Sequence, residues 1–177
     1  MDSTLKYYNQ NADQFVQGTL SVDFKQTQDR FLAKLPEDAY ILDFGCGSGR
    51  DTKYFLENGY QVDAADGSEE ICKIASDYTG IKVKQMLFGE LCDVDKYDGI
   101  WACSSILHLS KDTLADVLKK MTAALKDSGV IYTSFKYGKF EGERNGRYFT
   151  DFTIEAFKEY LQNIPELQIE EYWITGD

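Results

Sequence analysis

The sequence is poor in residues that bind metals and in long apolar runs. Its 177 residues include one histidine, four cysteines and two prolines. No cysteine or histidine pair has the spacing of a zinc site, so we expect no metal, and scattered single cysteines indicate free thiols. No apolar run approaches the roughly 20 residues that span a bilayer, and the first residues are unlike a signal peptide. We therefore expect a cytoplasmic protein without a membrane partner.

Basic residues are in the minority. Lysine and arginine number 19 against 30 aspartates and glutamates, which gives a formal net charge of −11. Because binding to nucleic acid phosphates requires a basic surface, we expect no nucleic acid partner. An apolar content of 43% in a chain of this length fits a single domain with one sizeable core.

The most informative feature present is an apolar run that ends in glycines. Tyr40–Phe44 is followed by Gly45, Gly47 and Gly49, which predicts a buried parallel strand leading into a tight turn. Glycine suits such a turn because it adopts positive φ and lets a ligand approach the backbone. The pattern of Arg50–Asn58 predicts a helix after the turn.

An acidic residue follows at the end of the next predicted strand, Gln61–Asp66. Asp66 lies about 20 residues after the first glycine, the offset at which a carboxylate can accept both ribose hydroxyls of a nucleoside cofactor. A surface turn is the alternative, because Asp66-Gly67-Ser68 is also typical of a turn that begins a helix.

The segment Asp43-Phe44-Gly45-Cys46-Gly47-Ser48-Gly49 resembles motif I of the class I S-adenosylmethionine-dependent methyltransferases. Position 50 is arginine, so the dehydrogenase spacing G-x-G-x-x-G is absent. The resemblance covers nearly the whole chain and implies a doubly wound, mainly parallel Rossmann-like α/β sheet flanked by helices, with S-adenosylmethionine as cofactor. The opening residues 7–15 and the single-domain length resemble small tellurite-resistance-type methyltransferases.

The resemblance also implies a set of cofactor contacts. Asp66 would hold the ribose, residues 86–88 would cup the adenine without the acidic residue customary in the family, and Tyr8 of an amino-terminal helical lid would lie near the methionyl carboxylate. Tyr7 is the second choice, and both tyrosines could instead pack the helix against the sheet. The full cofactor set is Tyr8, Asp43, Gly45, Cys46, Gly47, Gly49, Arg50, Asp66, Gly67, Met86, Leu87, Phe88 and Cys103.

His108 follows the predicted fourth strand, where Cys103 and His108 would border the reacting methyl group. Histidine titrates near neutrality, so His108 could deprotonate or orient an acceptor. A structural hydrogen bond is the alternative for a lone histidine on an apolar loop. We expect His108 to act by placement rather than by proton transfer.

The glycine-rich segment Lys136–Thr150 follows the fifth predicted strand and faces the ligand edge of such a sheet. Lys136, Arg144, Arg147 and Tyr148 are the predicted acceptor-binding residues, and the guanidinium groups would recognise an anionic group. A solvated hairpin whose charges pair with neighbouring acids is the alternative.

The remaining patterns give the domain layout. Residues 1–38 are predicted to form the lid and residues 39–177 the α/β core of one methyltransferase domain. Further strands are predicted at Ile81–Met86, Val130–Phe135 and Leu167–Ile174, and helices at Ser110–Leu125 and Thr153–Gln162. The family's final antiparallel strand, the seventh, would be missing, since no residues remain for it. Either the chain is truncated before this strand, or six strands leave a gap or a partner's place beside the fifth.

These features predict an enzyme that transfers a methyl group from S-adenosylmethionine to a small molecule. Two alternatives are an NAD-dependent oxidoreductase of Rossmann type and a non-catalytic S-adenosylmethionine-binding module.

Overall fold

A computed structural model describes residues 2–176. Its centre is a parallel sheet of five strands in the order β3-β2-β1-β4-β5, and a separate antiparallel hairpin is formed by β6 and β7. The strands are β1 (Tyr40–Phe44), β2 (Gln61–Asp66), β3 (Lys84–Gln85), β4 (Tyr97–Ala102), β5 (Leu125–Thr133), β6 (Glu141–Arg144) and β7 (Arg147–Thr150).

Helices flank the sheet on both faces. Those in residues 2–176 are α1 (Asp2–Gln10), α2 (Ala12–Leu20), α3 (Lys25–Leu32), α4 (Arg50–Glu57), α5 (Glu69–Thr79), α6 (Lys111–Ala124) and α7 (Ile154–Tyr160), with short 3₁₀ turns at Phe88–Glu90, Ile106–His108 and Leu161–Asn163. The doubly wound Rossmann-like fold predicted from the sequence is confirmed.

The strand order places the glycine turn at the functional edge of the sheet. From β1 the chain crosses to β2 and β3 on one side and then returns to β4 and β5 on the other. Ligands of open α/β sheets bind outside the carboxyl ends of the strands, where this reversal leaves a crevice. The turn after Phe44 lies at that point.

The central strands are buried between two apolar layers. On one side, Ile100 of β4 belongs to a cluster with Leu114 and Leu118 of α6. On the other side, Trp101 of β4 packs with Phe31 of α3 and with α4. Neighbouring β4 residues face opposite layers, and this anchors the carboxyl end of the strand beside the glycine turn.

Several predicted boundaries need correction. The predicted sixth strand, Leu167–Ile174, is not formed: Leu167 and Ile169 pack against the main core, and no strand pairs with them. The third strand shortens to β3, and β5 begins directly after α6 rather than at Val130. Side-chain packing buries Leu167 and Ile169 without a ladder of backbone hydrogen bonds, whereas Tyr172 and Ile174 of the same segment are exposed.

The segment after β5 is a hairpin and not an open loop. Asn145 and Gly146 form its turn with φ of 53° and 79°. Positive φ at both positions is typical of a type I′ turn, for which Asn-Gly is the preferred sequence. In residues 2–176, no helix has both the length and the apolar character needed to cross a membrane.

Candidate active site

A cavity of about 380 Å³ lies at the carboxyl ends of the central strands. Its walls come from the β1–α4 turn, the end of β2, the segment after β3, the loop after β4, helices α1 and α2, and strand β7. Its volume is at the lower end of the roughly 300 to 1,000 Å³ typical of ligand pockets.

Two of the three motif glycines shape this cavity. Gly45 has φ of 80°, and a Cβ there would lie 2.5 Å from Cβ of Ser105. Gly47 has φ of 54°, and its Cβ would lie 3.1 Å from the ring of Phe15. The backbone N–H groups of Gly45 and Cys46 both donate to the carbonyl of Ala65 at 2.9 Å. The turn is therefore held against β2, and a side chain at position 45 or 47 would crowd neighbouring residues.

Gly49 serves a different purpose. It precedes α4 with φ of 84°, and a Cβ there would lie 2.6 Å from Cγ2 of Thr79 in α5. The residue lets two helices approach each other and does not line the cavity.

Asp66 lies at the cavity wall with both carboxylate oxygens oriented by backbone groups. Gly47 N–H donates to Oδ2 and Ser68 N–H donates to Oδ1, each at 3.0 Å. Burial raises the pKa of Asp66, and these backbone hydrogen bonds oppose the rise. Since each oxygen can accept a further hydrogen bond, the carboxylate suits a pair of neighbouring hydroxyls. Ser68 also caps α5 through Ile71 N–H at 3.2 Å, so the turn alternative describes part of the same segment.

Apolar residues after β3 form one end of the cavity. Met86 is buried, Leu87 is 43% exposed, and Phe88 packs edge to face on Phe44 with ring centroids 4.9 Å apart. All three apolar side chains line the cavity. This end offers a flat, apolar surface of the kind that a purine base would contact.

Beneath the turn lies a buried carboxylate pair that sequence reasoning understood only in part. Asp43 accepts a hydrogen bond from Thr52 Oγ1 at 2.6 Å and does not line the cavity. Burial and the neighbouring Asp51 raise the pKa of Asp43 well above its usual range. Asp51 does line the cavity and accepts hydrogen bonds from Trp101 Nε1 and Arg50 Nε, both at 2.9 Å.

His108 is held by two hydrogen bonds that fix its tautomer. Nδ1 lies 2.7 Å from the carbonyl oxygen of Tyr148, which can only accept, so Nδ1 carries the proton. Nε2 therefore accepts from the hydroxyl of Tyr8 at 2.9 Å. Burial lowers the pKa of His108 to about 4, and the charge of Arg147 acts in the same direction. His108 is a neutral hydrogen-bond acceptor at neutral pH.

The two predicted arginines have different environments. Arg144 forms two hydrogen bonds to the buried carboxylate of Asp151, at 3.0 and 3.1 Å, and does not line the cavity. Arg147 lines the cavity, where Nη1 lies 3.4 Å from the Tyr8 hydroxyl. The hydroxyl of Tyr148 donates to Glu141 at the surface, so Tyr148 reaches the site only through its backbone.

The predicted site residues thus divide into two groups. Those that line the cavity are Tyr8, Gly45, Cys46, Gly47, Arg50, Asp66, Gly67, Met86, Leu87, Phe88, Cys103, His108, Lys136 and Arg147. Those placed elsewhere are Asp43, Gly49, Arg144 and Tyr148. Sequence reasoning did not assign Phe15, Phe24, Asp51, Ser105 or Phe149 to the wall. Phe15 and Phe24 stood on apolar helix faces, but nothing local indicated that these faces meet the cavity.

The cysteines at the cavity are protonated thiols. Burial raises the pKa of Cys103 to about 12 and also raises that of Cys46. Among the described side chains no group of three or more His, Cys, Asp or Glu residues is arranged to hold a metal ion.

Comparison with known proteins identifies the family. A family described as a methyltransferase domain matches residues 41–129, which contain the glycine turn, Asp66 and β4. The chain belongs to this methyltransferase family, whose class I members use S-adenosylmethionine as cofactor.

Curated relatives agree with this assignment. An uncharacterized methyltransferase of Staphylococcus carnosus is 24% identical over 72% of this chain and 65% of its own length. The human N-terminal Xaa-Pro-Lys N-methyltransferase 1 is 30% identical over 63% of this chain and 56% of its own length. A methyltransferase relative of Bacillus subtilis is matched over 47% of its length. The chain therefore covers less than two thirds of the length of each of these three relatives.

Solved structures with the same fold include different activities. The 1,6-didemethyltoxoflavin-N1-methyltransferase of Burkholderia thailandensis, solved with its substrate and S-adenosylhomocysteine, has a TM-score of 0.73 at 23% identity over 89% of this chain and 74% of that chain. The [4+2]-cyclase SpnF has a TM-score of 0.71 at 16% identity over 89% of this chain and 70% of that chain.

Proposed function

We propose that this protein binds S-adenosylmethionine in the cavity and transfers its methyl group to a small-molecule acceptor. The observation that carries the proposal is the half-buried carboxylate of Asp66 beside the glycine turn of Gly45 and Gly47, in a member of a methyltransferase family. Residues 1–38 would form the lid of a single domain, and residues 39–177 would form its core.

The residues present fit the cofactor by their shape and chemistry. Asp66 would hold the ribose, and residues 86–88 would line the adenine. A Cβ at Gly67 would lie 2.8 Å from Cδ2 of Leu5, so a side chain there would require Leu5 of α1 to shift. Tyr8 on the same helix would border the methionyl part.

The bound cofactor supplies a methyl group on a positively charged sulfur, which is already a good electrophile. The protein's own residues would then act by placement and by excluding water. Phe15, Phe24 and Phe149 give the cavity apolar walls, and Tyr8 of α1 closes over it. The neutral His108 would act by placement, because its Nε2 accepts from Tyr8 and so fixes the Tyr8 hydroxyl at the cavity wall. The thiols of Cys46 and Cys103 remain protonated there.

The size of the cavity supports a small acceptor. A cavity of about 380 Å³ is at the lower end of the range for ligand pockets, which leaves little room for an acceptor beside the cofactor. Lys136 and Arg147 line it, which favours an anionic acceptor. A metalloid oxyanion, suggested by the resemblance to tellurite-resistance-type enzymes, meets both requirements and belongs in the acceptor panel.

Calorimetric titration with S-adenosylmethionine, S-adenosylhomocysteine and NAD tests the cofactor first. We expect micromolar binding of the two adenosyl ligands, no binding of NAD, and loss of binding in Asp66→Ala. Asp63→Asn is the matched control, because Asp63 lies on the same strand with its carboxylate bonded to Tyr40 and Tyr97 outside the cavity. Binding of NAD alone, or of no ligand, would contradict the proposal.

Methyl transfer needs a separate test, because the same fold also occurs in a cyclase. The acceptor panel contains small organic acids, metalloid oxyanions and a peptide with an Xaa-Pro-Lys amino terminus, the last prompted by the name of a relative. Methylation of a small molecule supports the proposal. Methylation of the peptide alone would replace it, and cofactor binding without any transfer would favour the non-catalytic module.

A further inference from the structure

We propose that Arg147 binds a carboxylate group of the acceptor, so that the substrate is a compact organic acid. The inference rests on the proposed function for the identity of the cavity. Of the two hairpin arginines, Arg147 would recognise the acceptor, whereas Arg144 on the neighbouring strand would not.

The guanidinium of Arg147 is incompletely satisfied at the cavity wall. Among residues 2–176 its buried Nε has no hydrogen-bond partner, and the guanidinium forms one hydrogen bond, the 3.4 Å contact of Nη1 with Tyr8. In the part of the chain that the structure describes, no carboxylate pairs with it. Leaving a buried donor unpaired costs about 1 to 3 kcal/mol, and a ligand that accepts from this donor removes the cost.

Aromatic rings hold the guanidinium in place. Its central carbon lies 4.6 Å from the ring centroid of Tyr7 and 5.2 Å from that of Phe149. These contacts stabilise the positive charge without using the N–H groups. The planar group remains able to donate two parallel hydrogen bonds, the geometry that matches a carboxylate.

Arg144, on the same hairpin, differs from Arg147 because its guanidinium is paired with a carboxylate. It is paired across the turn with Arg147 and donates two hydrogen bonds to Asp151. Asp151 is 6% exposed, so this pair holds the hairpin closed. The chain therefore supplies a carboxylate to one arginine and leaves the other facing the cavity.

The amino-acid carboxylate of the cofactor is the other group that Arg147 could bind. The ribose acid Asp66 and the adenine surface at residues 86–88 belong to the half of the sheet formed by β1, β2 and β3. Arg147 belongs to the hairpin after β5, whose strand β7 contacts the loop after β4 through the hydrogen bond between the Tyr148 carbonyl and His108. This position on the opposite half of the sheet favours the acceptor as the source.

Benzoate serves as the probe acid, titrated by calorimetry into the protein with and without saturating S-adenosylhomocysteine. We expect wild-type protein to bind benzoate and Arg147→Gln to lose about tenfold or more of that affinity, because a charge-assisted hydrogen bond contributes about 1.5 to 3 kcal/mol. Lys139→Gln is the matched control: it removes one positive charge from the exposed start of the same segment, outside the cavity. Equal benzoate binding in wild type and Arg147→Gln, or none in wild type, would overturn the inference.

Two nucleosides distinguish the sources of the carboxylate. S-adenosylhomocysteine carries an amino-acid carboxylate, and 5′-methylthioadenosine lacks it. If Arg147 serves the acceptor, Arg147→Gln binds both nucleosides as wild type does, which also shows that the variant is folded. A selective loss of S-adenosylhomocysteine would assign Arg147 to the cofactor and overturn the inference. Failure of wild type to bind either nucleoside would instead count against the proposed function.

Discussion

His108 illustrates how the environment decides the role of a single residue. Its Nδ1 proton is fixed on the carbonyl of Tyr148, and its Nε2 accepts from Tyr8, so both nitrogens are occupied in the folded protein. With a pKa lowered to about 4 by burial, the ring stays neutral where an exposed histidine would begin to charge. The residue therefore couples the loop after β4 to α1 and to β7.

The same burial predicts a pH dependence of stability. Between about pH 6.5 and pH 4 the unfolded chain binds a proton at His108 and the folded chain does not. Protonation of His108 therefore favours unfolding. The free energy of unfolding falls by up to about 3 kcal/mol from this residue as the pH drops through this window. Urea unfolding at pH 7 and pH 4.5 measures the change in the free energy of unfolding.

His108→Gln is the comparison for that experiment, because glutamine keeps an acceptor for Tyr8 and does not titrate. Carboxylates titrate in the same window in both proteins, so the difference between them isolates the histidine. We expect the variant to lose less stability on acidification than wild type. An equal loss in both proteins would mean that His108 is protonated in the folded state.

At the scale of elements, the glycine turn is a joint between helices as well as a ligand site. Gly45 and Gly47 line the cavity, whereas Gly49 brings α4 against α5. A motif usually understood as a binding signature therefore also carries a packing requirement.

Gly49→Ala should destabilise the protein by about 2 to 4 kcal/mol, since it adds backbone strain at φ of 84° and a clash with Cγ2 of Thr79. Thr79→Ser removes that methyl group and keeps the hydroxyl that donates to Ala75 at 2.7 Å. We expect the double variant to recover about 1 kcal/mol relative to Gly49→Ala, measured by urea unfolding. Additive effects of the two substitutions would show that the clash is not the cause.

Local patterns were enough to predict that the glycine turn and Asp66 lie together at the wall of the cavity. A strand, a glycine turn, a helix and the acid at the end of β2 follow one another within about 30 residues, the length of a βαβ unit. The order of these elements along the chain was therefore enough to place Gly45, Gly47 and Asp66 at the same edge of the sheet. The packing of Asp43 beneath the turn, against Thr52, depends on the direction of its side chain, which the motif does not specify.

The hairpin half could be predicted only in outline. Asn145-Gly146 was a local hairpin signal, but which of Arg144 and Arg147 faces the cavity depends on Asp151 and on α1. Those contacts join distant parts of the sequence, so spacing alone left both arginines as candidates. The segment Leu167–Ile174 failed for a similar reason, because alternating apolar residues predict a strand only if a neighbouring edge is available to pair with them.

At the scale of the whole molecule, ligand binding should be visible as stability. Since the cavity joins both halves of the sheet with α1 and the hairpin, a ligand bound there stabilises the folded chain as a unit. At 100 times its dissociation constant, S-adenosylhomocysteine should add about 2.7 kcal/mol and raise the melting temperature by roughly 5 to 10 °C. Differential scanning fluorimetry measures this shift. Asp66→Ala should show none, and an equal shift in that variant would place the ligand elsewhere.

One wall of the cavity depends on contacts between α1 and the β6–β7 hairpin, which are far apart in the sequence. Ser3 donates to Glu143 at 2.9 Å, and Tyr148 N–H donates to Thr4 Oγ1 at 2.9 Å, across separations of 140 and 144 residues. During synthesis α1 leaves the ribosome before the hairpin, and its partners there are made more than a hundred residues later. The apolar face of α1, which carries Leu5 and Tyr8, is not fully packed until the hairpin has been made. Contacts between such distant residues form slowly because they close a long loop. One side of the cavity wall therefore emerges from the ribosome long before the other, and the wall is completed only when the hairpin has been made.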